Sequence, residues 1–149
     1  MKVVGTWKGG YQTHLEDGRG HSVTVDLPTD EGGHDAGASA LELSVLSLAG
    51  CITTIFAIVA KKRGLSFEAM TVGLDARRPA GSPTIASVAG TLHVVTSASA
   101  ADVQTALDIT LKTCPVGVLF ERAKIPVQVH AIVTPPVADQ IEGALLNRS

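Results

Sequence analysis

SALELSVLSLAGCITTIFAIVAKKRG, residues 39 to 64, is the stretch around which the rest of the chain must be arranged. Ser39 followed by Glu42 has the capping-box spacing, which satisfies two orphan backbone donors at a helix start. Lys61, Lys62 and Arg63 fall in the last turn, where cations complement the helix dipole, and Gly64 is a ready stop. The reading is one long helix. Between its ends, Leu43 to Ala60 is 18 residues without a charge, and a helix apolar nearly all round has to be enclosed by lipid or by protein. Eighteen is close to the lower limit for a bilayer span. Ser44, Ser47, Thr53, Thr54 and Gly50 interrupt the apolar run, and no second such stretch occurs in the sequence. The expectation is a core helix of a protein that does not engage a membrane.

At about 100° per residue, Ser44, Ser47, Cys51 and Thr54 form one stripe on this helix. Two readings of the stripe stand side by side. Small residues let a second helix approach closely, or a reactive thiol sits among hydrogen-bonding neighbours.

The 149 residues suggest a single domain spanning the whole chain, with enough length to bury a substantial core. Residues of hydrophobic type make up 45% and aromatics only 3%, so that core must be aliphatic. A net charge of −2 gives no electrostatic reason to expect nucleic acid or an anionic membrane. The start, MKVVGTWKGG, lacks an apolar targeting segment, which points to the cytoplasm. In that reducing compartment two cysteines suggest redox chemistry rather than a structural disulfide. The histidines at 14, 21, 34, 93 and 130 lack ligand spacing, so no metal and no bound cofactor is expected.

Along the chain, Val3 to Thr13 reads as a strand interrupted by a bulge at Gly9-Gly10. Glu16 to Gly20 is a hairpin turn and Ser22 to Leu27 the return strand. After the long helix, Phe67–Asp75 and Ile85–Val95 alternate at period two as antiparallel neighbours. Ser99 caps a second helix, which Cys114-Pro115 interrupts, and Pro115 opens a short third one. Ile125 to Val133 is a last strand, and Ala138 to Leu146 a short terminal helix. The order β-β-α-β-β-α-β with antiparallel sheets makes this an α+β fold.

Cys114, just before Pro115, takes the N-cap position of the short helix, where backbone donors and the positive helix end would lower a thiol pKa. Cys51 lies well inside its helix. The bland alternative for either is a small buried hydrophobe.

The run Ser39-Ala40-Leu41-Glu42-Leu43 leading to Leu48-Ala49-Gly50-Cys51, followed later by Cys114-Pro115-Val116, resembles the OsmC/Ohr family (osmotically inducible protein C and organic hydroperoxide resistance protein). The likeness covers about Trp7 to Val133. It implies an OsmC-like fold, an intertwined homodimer with long central helices, and reduction of organic hydroperoxides. It further implies Cys51 as the peroxidatic thiol, Cys114 as the resolving one, and an external dithiol or lipoylated protein as reductant. The chemistry suits these residues, since a thiolate oxidised to a sulfenic acid condenses with a second thiol.

The sequence also departs from the hydroperoxide-resistance pattern. Leu41 stands where that branch has its functional glutamate, and Ala40 where it has proline, so the pattern is closer to the OsmC-like branch. The branch's thiolate-holding arginine has one counterpart before the helix, Arg19, in the hairpin turn. Glu42 lies nine positions before Cys51, about 180° around the helix and about 13.5 Å along it, which favours a capping role. Two functions remain in view: a thiol peroxidase, and a non-catalytic module holding a small apolar molecule at the dimer interface.

Overall fold

The computed structural model describes Met1 to Pro136, and the expected terminal helix over 138–146 lies outside the described residues. The chain forms two compact units, Met1–Leu46 and the part from Ser47 onward.

In the first unit, β1 (Val4–Gly9), β2 (Gln12–Glu16) and β3 (Ser22–Val25) form an antiparallel meander. Val3 to Thr13 is therefore two strands rather than one. The register does shift between Trp7 and Gly9, but the chain also reverses there. Gly9 pairs with Gln12, so the two-residue loop is Gly10-Tyr11, and Gly10, at φ 52°, supplies the positive φ that a tight hairpin turn can need at its first position.

Beyond β3 the buried Asp26, 1% exposed, gathers the following loop. Its carboxylate accepts the amides of Leu27, His34 and Ala36 at 2.8, 3.1 and 3.3 Å. Burial pushes this carboxyl up. The three amides, with the His34 charge, outweigh burial and hold it below its ordinary value. The loop leads to α1 (Ala40–Lys62), whose first turn carries the expected capping box. The Ser39 amide donates to Glu42 Oε2 at 2.7 Å, and the Glu42 amide to Ser39 Oγ at 3.3 Å.

The second unit holds the rest of α1, a sheet of β4 (Ala69–Arg77), β5 (Ser87–Val95) and β6 (Val127–Thr134), and helices α2 (Ala100–Thr113) and α3 (Pro115–Arg122). The helix stop at Gly64 is realised: Gly64 has φ 68°, and the Leu65 amide reaches the Ala60 carbonyl at 2.9 Å. β4 and β5 pair antiparallel from Ala69↔Val95 to Arg77↔Ser87. β5 and β6 run parallel, Val88↔Val127 to Val95↔Thr134, so this sheet is mixed rather than wholly antiparallel. The reason is the α2–α3 crossover, which returns the chain to the end of the sheet where β5 began.

Leu92, Val94 and Val129 from the sheet, and Val103, Ala106 and Leu107 from α2, are buried in an aliphatic core. Only Leu48, Ile52, Phe56, Val59 and Ala60 of α1 are buried. Leu46 and Ile58 are 57% and 44% exposed. One face of the long helix is thus enclosed within the chain, not the whole of it. By length and composition it would also pass for a membrane span.

Candidate active site

Two cysteines far apart in sequence meet in the second unit. Cys51 lies on α1 beside the buried stripe, itself half-buried. Cys114 is the residue between α2 and α3 and is fully buried. It ends α2, its amide donating to the Thr110 carbonyl at 2.8 Å, and it caps α3. Pro115, whose ring fixes φ and keeps Cys114 extended, creates that junction. The Gly117 amide donates to the Cys114 sulfur at 3.4 Å.

The two thiols are neighbours that influence each other's ionisation. Burial, then the hydrogen bond and charge of Cys51, push the Cys114 thiol up to about 11, although the Gly117 and Val116 amides pull the other way. The N-cap position is as expected from the sequence, but the lowered pKa expected with it is not found. Desolvation outweighs two amide donors at a site with no exposure.

Two hydroxyls of the stripe around Cys51 bond within α1. Ser44 Oγ donates to the Leu41 carbonyl at 2.6 Å, and Thr54 Oγ1 to that of Gly50 at 2.9 Å. Those hydroxyls serve their own helix backbone.

Glu42 and Arg19 both belong to the first unit, and each is engaged locally. Hydrogen bonds from Ser39 hold the Glu42 carboxyl below its ordinary value, as a capping role requires. Arg19 stays in its turn, where its Nη2 meets Asp17 Oδ2 at 2.8 Å and its Nε the same oxygen at 2.9 Å. Hydrogen bonds from His21 and Arg19 lower Asp17 to about 2.

A cavity of about 450 Å³ reaches Cys114 from the side of α3. Leu48, Ile52, Leu111, Ile125 and Val127 form apolar walls, and Lys112, Glu121 and Lys124 bring charge to it. The sequence reading did not single out these three. Only the αα junction at Pro115 hinted that side chains 112 to 124 would gather there. A half-buried thiol thus lies beside a fully buried one, with a cavity alongside.

No curated protein matches the sequence. Among solved structures, an OsmC-like protein from Mycoplasma pneumoniae superposes with TM-score 0.76 at 13% identity, covering 90% of this chain and 95% of that one. An organic hydroperoxide resistance protein OsmC from Legionella pneumophila gives 0.70 at 17%, covering 88% and 96%. An organic hydroperoxide resistance protein from Elizabethkingia anophelis gives 0.72 at 18%, covering 90% and 97%. At such identities the likeness is one of fold. The family model described as OsmC-like protein matches residues 32–130, from the loop before α1, through both cysteines, into β6. On that match the chain belongs to the OsmC-like protein family.

Proposed function

We propose that the protein is a cysteine-based peroxidase that reduces organic hydroperoxides in the cytoplasm as a homodimer. The observation that carries this reading is the neighbouring pair of unequally exposed thiols, Cys51 half-buried and Cys114 fully buried. The Cys51 thiolate attacks the outer peroxide oxygen; an S–O bond forms, the O–O bond breaks, and the alkoxide leaves as alcohol after taking a proton. Cys51 is left as a sulfenic acid. The Cys114 sulfur then attacks Cys51, an S–S bond forms, and the hydroxyl leaves as water. An external dithiol, free or as a lipoyl group on a protein, supplies the two electrons that restore both thiols. Support comes also from the two structural relatives named for organic hydroperoxide resistance.

The homodimer rests on α1. Its exposed row Leu46, Gly50, Thr54 and Ile58 has i,i+4 spacing, the ridge by which two helices interlock. One equivalent of an alkyl hydroperoxide should convert both thiols of each chain into an intrachain disulfide, with hydrogen peroxide reacting more slowly. Thiols that stay free after alkyl hydroperoxide would sink the peroxidase reading. The apolar cavity beside Cys114 would then favour the second one, a module that binds a small apolar molecule.

A further inference from the structure

We propose that the cavity beside Cys114 is where the reductant docks, that Lys112 and Lys124 select thiols carrying an anionic group, and that the incoming thiolate attacks the Cys114 sulfur of the oxidised pair. This rests on the reading of Cys51 and Cys114 as a redox pair.

The cavity touches Cys114, and its lining does not include Cys51. It therefore borders the resolving residue, which has no exposure of its own. Lys124 supplies an independent observation. It sits just beyond α3 with φ 59°, in the left-handed region that glycine occupies without cost. Both bonds of this helix stop, Lys124 amide to Glu121 carbonyl at 2.8 Å and Ile125 amide to Phe120 carbonyl at 2.9 Å, are main-chain bonds that glycine would make equally well. A lysine held in this conformation at a residue that lines the cavity points to a use that lies in the side chain. Glu121 offsets one of the two cations, leaving the lining net positive, with apolar walls for the body of the reductant.

The step balances as thiol–disulfide exchange. The reductant thiolate forms a bond to the Cys114 sulfur, the Cys51–Cys114 bond breaks, and the electron pair leaves on Cys51, which takes a proton. A second thiol attacks the reductant's sulfur in the mixed disulfide. Cys114 leaves with the pair, takes a proton, and the reductant departs as its disulfide. The burial that pushes Cys114 up to about 11 makes it the poorer leaving group of an exchange, which favours attack upon it.

The test starts from wild-type protein oxidised with diamide, so that it does not depend on peroxide chemistry. Reduction by 3-mercaptopropionate is compared with reduction by 3-mercaptopropionamide, in wild type, Lys112→Gln, Lys124→Gln and Lys124→Gly. Expected is a fall of about 1.5- to 5-fold in the acid-to-amide rate ratio for each variant, shrinking in ~1 M salt. Lys124→Gly should lose selectivity while melting no lower than wild type. Acid-quenched mixed disulfide should map to Cys114. An unchanged ratio in all three variants, a mixed disulfide at Cys51, or no Cys51–Cys114 disulfide after diamide would each overturn the proposal. A disulfide that forms with diamide but not with alkyl hydroperoxide would sink the peroxidase reading alone.

Discussion

The Gly117 amide donates to the Cys114 sulfur across 3.4 Å, so the buried thiol is at once the N-cap of α3 and the partner of Cys51. These two roles separate on substitution. Serine is among the strongest caps, so Cys114→Ser should keep α3 while removing the resolving thiol. The expected outcome is one turnover of alkyl hydroperoxide and a sulfenic acid trapped at Cys51, read by dimedone labelling and mass spectrometry. Cys51→Ser should consume none. Cys114→Ala, which strands the Gly117 amide, should cost about 0.5–2 kcal/mol in denaturant unfolding. Equal loss of the first oxidation in both serine variants would reverse the assigned roles.

Glu42 serves the start of α1 through Ser39. Glu42→Gln preserves the capping-box acceptor, so Cys51 alkylation and peroxide rates should stay within about twofold of wild type. Ser39→Ala should cost roughly 1 kcal/mol. Lost thiol reactivity in Glu42→Gln at unchanged stability would show that the carboxylate charge acts in the chemistry.

Asp26 predicts an acid limit to stability. Its folded pKa lies below the ordinary 3.8, so its contribution is complete above that value and is lost as pH falls through the lower folded one. Urea midpoints should therefore drop below about pH 4. Asp26→Asn, with one acceptor oxygen in place of two, should lower stability at pH 7 and flatten that acid slope. An undiminished slope in the variant would assign it to other carboxylates.

The exposed row on α1 predicts the state of assembly. Sedimentation of wild type should give a dimer at micromolar concentration. Leu46→Lys combined with Ile58→Lys, both at exposed positions, should yield a monomer or a partly unfolded chain. A folded wild-type monomer would end the homodimer reading.

The α+β plan, both ends of α1 and the cap at Ser99 were legible because each depends on residues within one turn of the position they govern. The direction of β6 was not, since a short strand carries no mark of its partner. Gly9-Gly10 was ambiguous for a related reason: glycines permit a bulge or a reversal, and pairing beyond them decides. At the site, Pro115 announced the cap at Cys114, yet position in a helix says nothing of solvent, and solvent sets that thiol's acidity. Asp26 passed unnoticed because two of its three amide donors, those of His34 and Ala36, become neighbours only when the loop after it closes.

The parallel pairing of β5 with β6 has a consequence for how the chain matures. Cys114 sits inside the crossover that this pairing closes, and Cys51 on a helix made long before it. Non-local parallel contacts form late, because the loop entropy must be met before the ladder rewards it. During synthesis the two sulfurs are therefore held on segments with no reason to meet until the last strand has emerged and docked. Competence for intramolecular oxidation thus arrives together with the finished sheet, and a chain stalled before β6 keeps its thiols apart.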